Sequence, residues 1–349
     1  MDPITQQVAL AAAGAGGTTP YEGNLAMATA FSPYVIVYEW NEGFGSKYSD
    51  PSTLPDMAGG NNVEFSPDGN NLVVVGGYPD HMVAYAWSSS GFGSKYADPS
   101  SALPGSGYSA KFNADGSVLA VAHAGSPYIS AYAWSSGFGS KYSNPSSLPG
   151  GSSFGVTWSP DGNYIAAADV SSPYVHAYAW SSGFGSKYSN PSTLPAGVGR
   201  EVSFSPDGNY LFVGHGNSPY ISAYPWSSSG FGSKVSDPAT TPTGDGRGIS
   251  FTSNSDTVAI AHSNSPYISV YPWSSSGFGT KYSDPSTLPP SLAFTCAFSP
   301  DDANIVVGNS ATSPRITAYP WDNGFGTKYA DPSSLPPWTV SGVAFSPEE

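Results

Sequence analysis

Basic charge is scarce in this chain: eleven Lys and Arg stand against twenty-five Asp and Glu, for a formal net charge of −14. A nucleic-acid backbone is held by clustered Lys and Arg. Seven of the eleven cations (Lys47, Lys95, Lys141, Lys187, Lys234, Lys281 and Lys328) recur singly at one repeat position, so nucleic acid is not expected as the main partner. Cysteine is nearly absent, and the single Cys296 rules out an internal disulfide. Its position is filled by Val63, Ala110, Val156, Val202, Ile249 and Val343 in other copies, which reads as a buried apolar residue rather than a reactive thiol. Long apolar runs are missing too. Residues 8–13 are too few to span a bilayer and follow no basic stretch, so neither membrane insertion nor classical secretion is expected.

What the chain has in quantity is repetition. Tyr-x-Trp ends at Trp40, Trp87, Trp134, Trp180, Trp226, Trp273 and Trp321, a unit of 46 to 48 residues in seven copies. A fixed period of this length marks a repeat architecture. The fifth copy shows the unit most clearly. Val202-Ser203-Phe204 alternates as a strand, Pro206-Asp207-Gly208 supplies a turn, and Tyr210 to Gly214 forms a second strand. Tyr220 to Trp226 is a third strand, and Phe231 to Lys234 a fourth. The unit closes on Asp-Pro-Ser-Ser/Thr-Leu-Pro, as at Asp284 to Pro289, where Asp caps a single helical turn begun by Pro.

The first copy starts in its middle, at Asn24, without a leading strand, and that strand stands alone at the far end as Val343-Ala344-Phe345-Ser346-Pro347. Four strands per unit, seven units and one split unit describe an all-β seven-bladed β-propeller of four-stranded antiparallel blades, its ring closed by pairing the N- and C-terminal strands. The propeller then covers residues 21–349. Residues 1–20 lie outside it, either as a disordered arm or as a docking peptide whose helix presents Ile4, Val8 and Ala9.

Phe-Ser-Pro-Asp-Gly, followed by an apolar strand and an aromatic strand ending in Trp, resembles the WD40 and WD40-like propellers over about 320 residues. The chain departs from them in carrying Asp after Trp only at Trp321-Asp322, and in lacking the Gly-His pair before the first strand. A second resemblance lies at the amino terminus. Met1-Asp2-Pro3-Ile4-Thr5-Gln6-Gln7, running into an Ala/Gly stretch, is similar to the start of tail and fibre proteins of marine tailed bacteriophages, and this resemblance implies a virion component.

No constellation carries evident chemistry. His123, His215 and His262 share one repeat place after the second strand, where other copies have Thr29, Gly76, Asp169 and Asn309. Equivalent places on different blades lie about 10 Å or more apart, too far to ligate one ion, so polar loop residues are expected and no metal. Glu64, Lys111 and Glu201 are the only charges in the leading strands between three and one places before the aromatic, and Glu64 can pair with Lys111 on the next blade. No nucleophile with its base stands out; no catalytic residue and no cofactor is expected, and the chain reads as a non-enzyme.

Variation among copies points to a binding surface instead. One loop position reads Asn61, Tyr108, Phe154, Arg200, Arg247, Phe294 and Ser341 in turn, and Asp80-His81 and Arg315 break the Ser-Pro-Tyr pattern on the same face. Variation on a fixed frame is where recognition sits. Tyr108, Phe154, Arg200, Arg247, Phe294, Asp80, His81 and Arg315 are therefore the candidate binding residues. The expectation is a non-enzymatic virion structural protein, a tail, fibre or decoration component, assembled in the host cytoplasm. Other virion proteins would hold its arm, and a host receptor or glycan would meet its loops. A glycan-binding propeller and a general protein-interaction scaffold are the alternatives.

Overall fold

The computed structural model describes residues 20–310 and 312–348. The proposed docking residues Ile4, Val8 and Ala9 lie outside them. Blades 2 to 6 are four-stranded antiparallel sheets with strands in sequence order, innermost first, and blade 1 is the composite. Its innermost strand, Val340–Phe345, pairs with Glu22–Thr29, placing Phe345 opposite Leu25 and Val343 opposite Met27. Each innermost strand touches the next around the axis, and Val340–Phe345 touches both Gly60–Phe65 and Ala293–Phe298, which closes the circle.

The strand reading holds with one physical refinement. In blades 5 and 6 the outermost strand shrinks to two residues, and in blade 7 to the bridge between Trp321 and Phe325. Those three blades carry Pro225, Pro272 and Pro320 where blades 2 to 4 carry alanine. Proline offers no N–H to the outer neighbour, so the ladder there cannot extend.

The repeated aromatics join blades as well as fill them. Tyr38, Tyr85, Tyr132, Tyr178, Tyr224, Tyr271 and Tyr319 are fully buried, and each hydroxyl donates to a carbonyl in the preceding blade's closing segment, as Tyr224 does to Thr193 at 2.9 Å. All seven Trp of the Tyr-x-Trp endings are buried too, edge-on to the Phe of the next strand, as Trp226 is to Phe231 at 5.0 Å. Such pairs add about 0.5–1.5 kcal/mol beyond area burial, repeated in every blade. The Pro-Asp-Gly turns form as expected, with Gly208 at φ 72°.

His123, His215 and His262 depart from the expectation. They are not solvated loop residues but are wholly buried at the ends of second strands, each Nε2 lying 2.9 to 3.0 Å from the Oγ of Ser130, Ser222 or Ser269. Blade 4 fills the same two places with Asp169 and His176, whose Oδ2 and Nε2 stand 2.8 Å apart. Cys296 is buried as anticipated, and burial pushes its thiol up to about 12. Among the described residues no helix is long and apolar enough to cross a membrane.

Candidate active site at the channel mouth

Period-two alternation turns one set of innermost-strand residues between the blades and the other toward the axis. In Gly199–Phe204, Val202 and Phe204 pack between blades, leaving Glu201 and Ser203 on the channel side. The alternation then breaks. Gly199 pairs with His215 and Glu201 with Gly214, so Arg200 is an extra, unpaired residue in the strand. The same irregularity falls at Asn61, Tyr108, Phe154, Arg247, Phe294 and Ser341, once in every blade. A β-bulge re-aims the side chain it carries. Here it adds a ring of variable side chains above the regular axial positions.

Glycine precedes the bulge in four of the seven blades, with Ser153, Ala293 and Val340 in the other three, and is the one hint of it in the sequence. A Cβ on Gly60, Gly107, Gly199 or Gly246 would stand 2.3 to 2.8 Å from the carbonyl oxygen of Tyr34, His81, Tyr174 or Tyr220 in the preceding blade. In those four blades a glycine followed by a residue that varies from copy to copy marks the strand's entry into the mouth.

The bulge residues surround one cavity of about 250 Å³, shared with Asn62, Glu201 and Thr295 from the level below. Five of the eight predicted binding residues meet there: Tyr108, Phe154, Arg200, Arg247 and Phe294. The other three do not. Asp80 lies 3.6 Å from Lys95, the carbonyl of His81 accepts from the Gly76 amide, and Arg315 Nη1 donates to the Pro336 carbonyl at 3.0 Å. None of these three lines the mouth.

Aromatic and cationic groups interleave around the rim. Tyr108 meets Phe154 edge-on at 4.9 Å, Arg200 lies over the Phe154 ring at 5.3 Å, and Arg247 lies over Phe294 at 5.3 Å. One carboxylate serves both guanidinium groups, with Asp245 Oδ2 3.5 Å from Arg200 Nη2 and 3.4 Å from Arg247 Nη2. Two of the chain's three arginines thus share one counter-charge, and the Nε of each is buried without a hydrogen-bond partner. Burial first, and then the neighbouring Arg200, draw the Arg247 guanidinium below its usual range. The rim is a site for an anion or for developing negative charge.

Glu201 supplies the other half of the chemistry, and its role was missed in the sequence. Burial lifts its carboxyl from 4.5 to about 7, against the opposing effects of the Val202 amide and the Lys111 charge. The Val202 amide donates to Oε1 at 3.0 Å. The carboxyl fits because its neighbour on the preceding blade is Gly155, where a Cβ would stand 2.8 Å from Oε1. A carboxylate titrating near neutrality can take a proton from water and return it. Glu64 and Lys111 do pair as anticipated, at 2.6 Å, one level further down the channel. Among the described residues no group of three His, Cys, Asp or Glu is placed to hold a metal ion.

No protein-family model matches the sequence, nor does any curated protein. Solved structures do match the fold along its length. A functionally unknown protein of Desulfotomaculum acetoxidans has a TM-score of 0.70 and 13% identity, covering 94% of this chain and 100% of its own. The periplasmic gluconolactonase of Pseudomonas aeruginosa has a TM-score of 0.69 and 18% identity, with the same coverage. A putative 6-phosphogluconolactonase of Bacteroides uniformis has a TM-score of 0.67 and 14% identity, covering 93% and 99%. These matches correct the functional expectation: similar propellers bear the names of gluconolactonases and 6-phosphogluconolactonases, which are enzymes, and none of these is a phage tail protein. The non-enzymatic virion reading, with its tail, host-attachment and bacteriophage associations, is overturned, while the seven-bladed propeller stands. At these identities the likeness is one of fold, and this chain is similar to those propellers in architecture.

Proposed function

We propose that the channel mouth is the active site of a hydrolase that opens a small sugar lactone. The observation that carries this reading is the juxtaposition, around one cavity, of a carboxyl held near neutrality with two guanidinium groups and aromatic walls. The lactone activities named for similar propellers support the reaction class. Tyr108, Phe154 and Phe294 offer apolar faces to a sugar ring. Ionised Glu201 removes a proton from water as the oxygen attacks the lactone carbonyl, and the carbonyl oxygen gathers negative charge against Arg200 and Arg247. The ring C–O bond then breaks, the leaving alkoxide takes the proton back from Glu201, and a hydroxy acid is released.

Glu201→Gln is expected to lower kcat by about 10²- to 10⁴-fold, the usual worth of a general base. The wild-type rate should climb through pH 7, where the carboxyl ionises, and flatten above it. Hydrolysis of glucono-δ-lactone, measured above the spontaneous buffer rate from about pH 5 to 8.5, tests both points. An unchanged rate and pH profile in the variant would remove Glu201 from the mechanism. Stability should move the opposite way. The native state binds the Glu201 proton more tightly than the unfolded chain does between pH 4.5 and 7, so this carboxyl's contribution to wild-type stability falls across that window. Glu201→Gln, neutral throughout, should therefore melt above the wild type at about pH 8 and close to it at about pH 4.5.

A further inference from the structure

The mouth does not end at Glu201. Asn62, Glu201 and Thr295 also line a second cavity of about 580 Å³ that runs down the axis to the turns on the opposite face. A six-residue innermost strand spans about 20 Å, more length than a single sugar ring fills. Small side chains keep this passage open. At the level of Glu201 the other blades present Asn62, Ser109, Gly155, Gly248, Thr295 and Gly342, and at the next axial level Thr157, Ser203, Ser250, Ala297 and Ala344 accompany the Glu64–Lys111 pair.

The wall has the donor and acceptor balance of a polyol partner. Ser203 Oγ donates to the Phe204 carbonyl at 3.1 Å and Thr157 Oγ1 to the Trp158 carbonyl at 3.4 Å, so both keep lone pairs for an incoming hydroxyl. Ser250 Oγ accepts from the Phe298 amide at 3.0 Å and keeps its own O–H to donate. The Glu64–Lys111 pair places both charge signs on one side of this wall, 2.6 Å apart, so the passage favours neither an anionic nor a cationic occupant.

We infer that the substrate is an extended sugar lactone, whose lactone ring sits at the arginine rim and whose second, uncharged sugar unit descends into the hydroxyl-lined channel beside Thr157, Ser203 and Ser250. The inference rests on the mouth being the hydrolytic site and adds the class of substrate it takes.

The experiment compares glucono-δ-lactone with maltobionolactone as substrates, and gluconic with maltobionic acid as ligands by calorimetry. The wild type and two variants are used: Ser203→Leu, which narrows the channel, and Ser250→Ala, which removes one hydroxyl. The expected result is a kcat/KM about tenfold to a hundredfold higher for the two-ring lactone, what one or two further net hydrogen bonds confer. That preference should vanish in Ser203→Leu and shrink in Ser250→Ala, with one-ring hydrolysis retained in both. Equal hydrolysis of the two lactones by the wild type would overturn the inference and leave the hydrolytic reading intact. Tighter binding of the two-ring acid with no hydrolysis of either lactone would sustain the channel assignment and overturn hydrolysis. Absence of both binding and hydrolysis would overturn the two together.

Discussion

Removal of residues 340–349 should leave a chain without a cooperative unfolding transition. Val340 and Val343 are buried at 0% and 7% exposure, and Phe345 packs edge-on to Trp40 at 5.2 Å and to Tyr21 at 5.6 Å. Burial of the two valines is worth about 1.5–3 kcal/mol each, and the half-buried Phe345 adds to them, a sum comparable with the lower end of the stability of a typical fold, about 5–15 kcal/mol. More is lost with them. The strand occupies the axis between Gly60–Phe65 and Ala293–Phe298, so its departure bares the fully buried face of Leu25 to Thr29 and breaks the circle. Ser346 adds a tie, its carbonyl accepting from the Tyr21 hydroxyl at 2.7 Å and its amide donating to the Asn24 carbonyl at 2.8 Å. Calorimetry and small-angle scattering of the shortened chain, with and without a peptide of residues 340–348, measure the effect. Loss of the transition with recovery on adding the peptide is expected; an unaltered melt and radius would mean the ring does not depend on this strand.

Mild acid should destabilise the protein, and the buried histidines should be the cause. Burial lowers His123, His215 and His262 from 6.5 to about 4. Between those values the unfolded chain binds protons that the folded chain refuses, so stability falls as pH drops from 6.5 to 4. A shift of this size corresponds to about 3 kcal/mol per histidine, roughly 9 kcal/mol for three. Glu201, with at most about 3 kcal/mol gained on protonation, and Glu64, whose carboxyl burial also raises, oppose the three histidines, which prevail by number. Each Nε2 already shares a hydrogen bond with a serine, and Asp237 and Asp284 act on His215 and His262 only weakly beside burial, so protonation brings a buried charge that is poorly compensated. His262→Asn, which copies Asn309 of blade 7, should weaken the pH dependence of the urea midpoint by about a third. A midpoint equal at about pH 7.5 and 4.5 in the wild type would show that the histidines do not carry the acid response.

The architecture was legible because it is written in residue identity. Trp returning every 46 to 48 residues counts the blades, and the aromatic at Phe204 and its equivalents marks the axial strand. The stray Val343 to Phe345 segment announces the closure. The site was legible in part. Variation from Tyr108 to Phe294 located the rim, since those side chains differ where the frame around them repeats. Asp80, His81 and Arg315 also vary, but their side chains engage local partners away from the mouth: Asp80 pairs with Lys95, the His81 ring lies 6.0 Å from that of Tyr78, and Arg315 donates to the Pro336 carbonyl. Variation alone does not separate these two causes. The bulge was invisible because any residue type can occupy it, and only the preceding glycines hint at it. Glu201 was passed over for a physical reason: its basicity comes from burial between blades nearly fifty residues apart, which no local spacing encodes.

Crystals of the wild-type protein soaked with gluconic acid, the hydroxy acid left by lactone opening, place the chemistry most directly. The carboxylate should lie between the guanidinium groups of Arg200 and Arg247, with Glu201 within hydrogen-bond reach of it and the carbon chain against Phe154 and Phe294. Gluconate bound only on the outer rim, or a mouth that holds nothing but water at saturating concentration, would contradict the assignment of this site.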